Sequence, residues 1–98
     1  MILEIFAVYD SKVGCYLPPH FLRSVGEMLR AFEVAANDSG HQFCKHAEDY
    51  TLFHVGSWDD QKCMFVLKET PVALGKAIEF IRRESHPGQL SLVDGGAK

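Results

Sequence analysis

Apolar residues fill positions 2–9 almost without a break, Glu4 being the one charge among them. A run of this kind buries both faces of a strand and predicts a first strand in the middle of a sheet. The segment that follows, "DSKVGCYLPPHF", reads as a long shaped loop set by Gly14 and the Pro18-Pro19 pair, and the two prolines forbid a helix before His20. From Ser24 the pattern changes to a helical period. Ser24 and Glu27 have the spacing of a capping box, and Val25, Met28, Leu29, Phe32 and Ala36 form one apolar stripe. Residues 37–40, "NDSG", end that helix with side chains that tolerate left-handed backbone. Two strand-like runs, 50–58 and 62–68, joined by Asp59-Asp60-Gln61, predict a hairpin. Thr70 as N-cap and Pro71 as first helical residue then predict a second helix. Its buried stripe would be Leu74, Ala77, Ile78 and Ile81, with Lys76, Glu79 and Arg83 in water and His86-Pro87-Gly88 as its stop.

The predicted order is β-loop-α-β-β-α: an α+β domain with a small, mostly antiparallel sheet of three to four strands and two helices. Residues 1–84 are expected to form this single domain and residues 85–98 a flexible C-terminal tail. Alternation in the hairpin puts Tyr50, Leu52, His54 and Trp58 on one face and Phe53 and Val55 on the other; Met64 and Val66 likewise oppose Cys63, Phe65 and Leu67. Two helices cover one face of such a sheet, which leaves a second apolar, aromatic face for a partner subunit, the tail or a ligand. A symmetric homodimer through the sheet or its edge is the expected solution.

Composition narrows the function. With 98 residues and 47% apolar content the chain has a core but little room for a deep cleft. No apolar run is long enough for a membrane span, and the N-terminus lacks the basic start and cleavage site of a signal peptide. Cys15, Cys44 and Cys63 are odd in number and fit a reducing, intracellular setting. A formal charge of −3 argues against a protein that coats polyanions everywhere, while leaving room for a local basic groove.

The stretch "KHAEDYTLFHVGSWDD", residues 45–60, concentrates the candidate chemistry. His41, Cys44 and His46, with Cys15 or His20 as a fourth ligand, do not have the paired-knuckle spacing of a closed zinc site, so no metal is expected. His46 with Glu48 or Asp49 has the composition of a base and its orienting carboxylate. Yet no nucleophile turn and no glycine-rich phosphate loop accompanies them, and neither catalysis nor a cofactor is expected. Asp49, Asp59 and Asp60 read as turn acids that accept from free backbone N–H groups, and His54 as a packed, hydrogen-bonded strand residue. Tyr9, Tyr16, Tyr50 and Trp58, close in sequence to Lys12, Arg23, Lys45 and Lys62, are the mixture that single-stranded nucleic acid needs: rings for bases and cations for phosphates.

Three stretches carry a resemblance: "FAVYDSKVGCYLPPHF", "RAFEVAANDSGHQFCKHAEDYTLFHVGSWDD" and "TPVALGKAI". Together they resemble the small nonstructural protein of gokushoviruses, the Microviridae phages with single-stranded DNA genomes. The elements in order are Tyr9-Asp10-Ser11-Lys12, the loop from Tyr16 to Pro19, the helix with Arg30-Ala31-Phe32, and the motif running from His46 to Asp59. Ala47 stands where that family usually has proline, and Gln61-Lys62-Cys63 replaces its usual hairpin turn. The resemblance implies a DNA-binding phage protein acting in viral single-strand synthesis and in the switch from duplex replication to packaging. It would be made in the cytoplasm of the infected host and be absent from the mature virion. The rival reading is an adaptor that binds the replication initiator, a procapsid or a host replication factor without touching DNA.

Overall fold

The computed structural model describes residues 1–82. Its spine is β1 (Ile2–Asp10), in which Ile5, Phe6, Ala7 and Val8 are all buried, as the apolar run predicted for a central strand. On one side β1 pairs antiparallel with β2 (Cys15–Tyr16) and β3 (His20–Leu22); on the other it pairs with β4 (Tyr50–Asp59). Beyond β4 lies the hairpin partner β5 (Met64–Lys76), an edge strand. The helices are α1 (Val25–Ala36), α2 (Gln42–Lys45) and α3 (Ala77–Phe80). The molecule is thus the expected α+β domain with a small antiparallel sheet. The tail expected at 85–98, the domain boundary at 84 and the stop at His86 lie outside the described residues.

Besides α2, a single helical turn where none was expected, two elements differ from expectation. Residues 11–21 are only partly a loop: after a turn at 11–14, β2 and β3 form one interrupted strand lying along β1. Tyr16 faces Tyr9 and His20 faces Phe6, so one extra residue is accommodated at the break. The Leu17 N–H still donates to the Val8 carbonyl at 2.7 Å. Pro18 and Pro19, which have no N–H to give, occupy the break itself.

The second difference is that no helix starts at Thr70-Pro71. β5 runs on to Lys76 and, of the described residues of the predicted helix, only Ala77–Phe80 is helical. Pro71 falls among residues 68–71, which loop out between Leu67 and Val72, the partners of Gly56 and His54. There an edge strand loses no ladder bond to proline. Pairing with β4 outweighs the local Thr-Pro signal. Of the predicted stripe, Ala77 is buried and Leu74 and Ile81 pack against the core, but Ile78 is exposed, because the single turn of α3 does not carry the helical face that would have buried it.

α1 begins as predicted. Ser24 Oγ accepts from the Glu27 N–H at 3.1 Å, and Glu27 Oε1 accepts from the Arg23 N–H at 3.0 Å. At its far end Asn37 does more than stop a helix. Its Nδ2 donates to the carbonyls of Glu33 (2.8 Å) and Phe80 (3.0 Å), while its Oδ1 accepts from the Arg82 N–H at 2.8 Å. One side chain therefore ties α1 to α3. Between helices and sheet, Phe6, Val8 and Leu52 meet Met28, Phe32 and Ala36.

A bulge re-aims the outer half of β4. Ile5 faces Gly56 while Phe6 faces His54, which leaves Val55 as the extra residue. A one-residue slip sends every later side chain to the other face. Trp58, expected beside His54, instead lies opposite Leu3 on the face of Phe53. At this point β5 crosses closely over Gly56: a Cβ there would meet the Val66 carbonyl oxygen and lie 2.8 Å from the Leu67 Cα. Gly56→Ala is expected to cost roughly 1–3 kcal/mol, the range for overpacking against groups that cannot swing away. A lower urea midpoint at unchanged slope would register it.

Candidate nucleic-acid interface

All three helices contribute to the one core on the Phe6, Val8 and Leu52 face. The opposite face carries no helix among the described residues, and its side chains are ordered by strand register. Tyr16, Tyr9, Thr51 and Lys76 form one cross-strand row. Ala7, Phe53 and Ala73 form the next; then come Phe21, Ile5, Gly56 and Leu67, and finally Leu3, Trp58 and Phe65.

Rings gather at both ends of this face. Tyr16 lies 4.9 Å from Tyr9 and 5.5 Å from Phe53, centroid to centroid. At the other end Phe65 lies 4.6 Å from Trp58 and 6.4 Å from Phe21. Beside Tyr16 opens an apolar pocket of about 490 Å³, walled by Ala7, Pro18, Pro19, Val55 and Pro71. Half-exposed rings edged by an ammonium group make a surface on which unpaired bases can stack.

The rings and cations singled out from the sequence do not form one patch. Tyr16 stands 49% exposed at the pocket wall. Tyr50 is in the core, 5% exposed, with its ring 4.7 Å from Phe43 and its hydroxyl 3.2 Å from Gln42 Oε1. Burial, reinforced by the Asp10 and Asp49 carboxylates, holds its phenol above its ordinary pKa, and no face of the ring is offered to a base. Trp58 is half-buried against Phe65. Lys12 and Lys45, 33 residues apart in sequence, line one groove of about 480 Å³ together with His46, Glu48 and Asp49. Neither lysine is ion-paired with a described carboxylate. Arg23 sits at the entry to α1 and Lys62 in the β4–β5 turn, toward the other end of β1.

Several of the remaining candidates have structural partners. His41 caps α2, its Nδ1 accepting from the Phe43 N–H at 3.0 Å, and His46 closes the same turn. Among the described residues no three His, Cys, Asp or Glu side chains converge as they would around an ion. Asp59 Oδ1 accepts from the N–H groups of Gln61 and Lys62, and Asp10 Oδ1 from those of Lys12 and Val13. These acids shape turns. His54 stacks on Phe6 at 5.0 Å, its Nε2 2.8 Å from Glu4 Oε1, which also explains the charge that interrupts the apolar run 2–9.

Four residues of the face were not among the sequence candidates: Phe21, Phe53, Phe65 and Lys76. Period-two alternation marks Phe53 and Phe65, but Phe21 and Lys76 lie in segments whose sequence does not read as strand.

A family model described as phage ORF5 protein matches residues 3–80. The chain belongs to this phage protein family. The match runs from β1 to the end of α3 and so takes in the whole ring-lined face and the Lys12–Lys45 groove. No curated protein and no solved structure matches the chain.

Proposed function

We propose that this phage protein is a gokushovirus-type nonstructural protein that binds single-stranded DNA as a homodimer. It would act in the host cytoplasm during viral single-strand synthesis and the turn from duplex replication to packaging, and be absent from the virion. The observation that carries the reading is Tyr16: half-exposed, flanked by Tyr9 and Phe53, and set beside an open apolar pocket on a face that no helix covers among the described residues. Bases would stack there, with Lys76 at the end of the row and Lys12 in the adjoining turn to meet phosphates. No catalytic step and no cofactor belong to this reading.

Fluorescence polarisation with a labelled oligonucleotide at low and high salt tests it. Single strands are expected to bind more tightly than duplex of equal length, since only unpaired bases expose their faces; equal or stronger duplex binding rejects stacking. Lys12→Ala with Lys45→Ala is expected to flatten the salt dependence by about 1.4 in log–log slope, two contacts at roughly 0.7 each on single strands. An unchanged slope removes both lysines from the DNA path.

A second reading is favoured by Met64, Phe65, Val66 and Leu67, which are exposed and apolar, and by the net charge of −3. It makes the protein an adaptor for the replication initiator, a procapsid or a host replication factor. Absence of salt-sensitive binding to either form of DNA would select it.

A further inference from the structure

We propose that β5 pairs edge to edge with the β5 of a second copy in a register centred on Val66, joining two sheets across a two-fold axis. This rests on the homodimeric reading above and is independent of DNA binding.

Among the described residues β5 has β4 as its one neighbour, so the backbone groups along its outer side are unpaired. Met64, Phe65, Val66 and Leu67 are 54, 57, 63 and 62% exposed. Because consecutive strand residues point to opposite faces, this tip is bare above, below and alongside. Ile2, Phe21 and Val72 extend the apolar surface. If each of these seven leaves about half of a large side chain uncovered, the total is on the order of 600 Å². That is beyond what a monomer ordinarily leaves wet and close to the roughly 800 Å² per partner of a standard interface.

The sequence of the strand selects a copy of itself, in one register. Facing residues of an antiparallel pair share a face, so a two-fold axis normal to the sheet must pass through one residue and its own copy. Centred on Val66, Phe65 meets Leu67 twice on the ring-lined face, and both residues lie in the regular part of the strand. Centred on Phe65 instead, Leu67 would fall opposite Cys63 in the β4–β5 turn. Centred on Leu67, Phe65 would fall opposite Glu69 in the looped-out segment.

Single cysteines at 64, 65, 66 and 67, in a background with Cys15, Cys44 and Cys63 replaced by serine, test both interface and register. Opposed Cα atoms in an antiparallel pair lie about 4.5–5.5 Å apart, within disulfide reach, and the high exposure of Val66 lets Val66→Cys leave folding intact. Light scattering before oxidation is expected to give twice the 11.0 kDa chain mass. Mild oxidation is expected to convert Val66→Cys, ahead of the other three, to a covalent dimer that reductant reverses. A doubled mass with no cross-link at any of the four positions overturns the β5 interface and leaves the homodimer standing. A mass of one chain overturns both. Fastest cross-linking at 64, 65 or 67 overturns the register. A dimer cross-linked at 66 that ignores DNA sustains this interface and sinks the DNA reading alone.

Discussion

Phe32→Ala is expected to lower the melting temperature by about 15–30 °C, the effect of losing roughly 3–5 kcal/mol from a domain this small. Phe32 is 1% exposed and central to the helical layer. Its ring lies 5.4 Å from Phe43 and 5.2 Å from Phe80, so it joins α1, α2 and α3 as well as backing the sheet. Truncation leaves a cavity that these three short elements must either tolerate or collapse into. The loss is a large fraction of the stability that a small domain has in total. Thermal unfolding followed by circular dichroism measures it. A drop of only a few degrees would mean that Phe43 and Phe80 refill the space.

Tyr16→Ala is expected to weaken single-stranded DNA binding by about 5- to 150-fold, the equivalent of roughly 1–3 kcal/mol for one stacked base. Tyr16→Phe is expected to stay near the parent, because the ring and not the hydroxyl makes the stack. Half of Tyr16 is already in water, so the alanine variant should remain folded, and a melting curve recorded alongside the polarisation titration separates binding from unfolding. Unchanged affinity in a folded Tyr16→Ala protein would move the site away from this face.

What the sequence disclosed and what it hid follow from the range of the interactions involved. β1, the α1 cap and stripe, and the β4–β5 hairpin rest on local pattern: a continuous apolar run, S-x-x-E, a helical period, and a polar turn between alternating segments. No helix forms at Thr70-Pro71 because its cap signal is local, whereas the strand that takes its place depends on β4, whose partner residues, such as His54 for Val72, lie farther away in sequence. The Val55 bulge likewise has no sequence mark, yet it alone moves Trp58 to the other face. Of the candidate site, Tyr16, Lys12 and Lys45 were legible as loop or turn residues of the right chemistry, whereas the groove that the two lysines share was not. Tyr50 was not, since alternation alone does not say which face the helices choose. Phe21 and Lys76 needed the register of β3 and β5.

The pairing order of the sheet also bears on how fast it can form. β1 is the first strand of the chain, yet its long partner β4 begins 40 residues after β1 ends, with α1 and α2 between. Closing so distant a pairing is the slow step in small β-rich domains and places folding toward milliseconds to seconds. Until β4 arrives, the apolar β1 would be bare on that side. The interrupted strand β2–β3, built from the residues immediately following, is positioned to dock first and hold β1 as a local meander. The Pro18-Pro19 break is therefore also a kinetic element: proline isomers are slow to interconvert, and a wrong isomer there would delay the one early partner that β1 has.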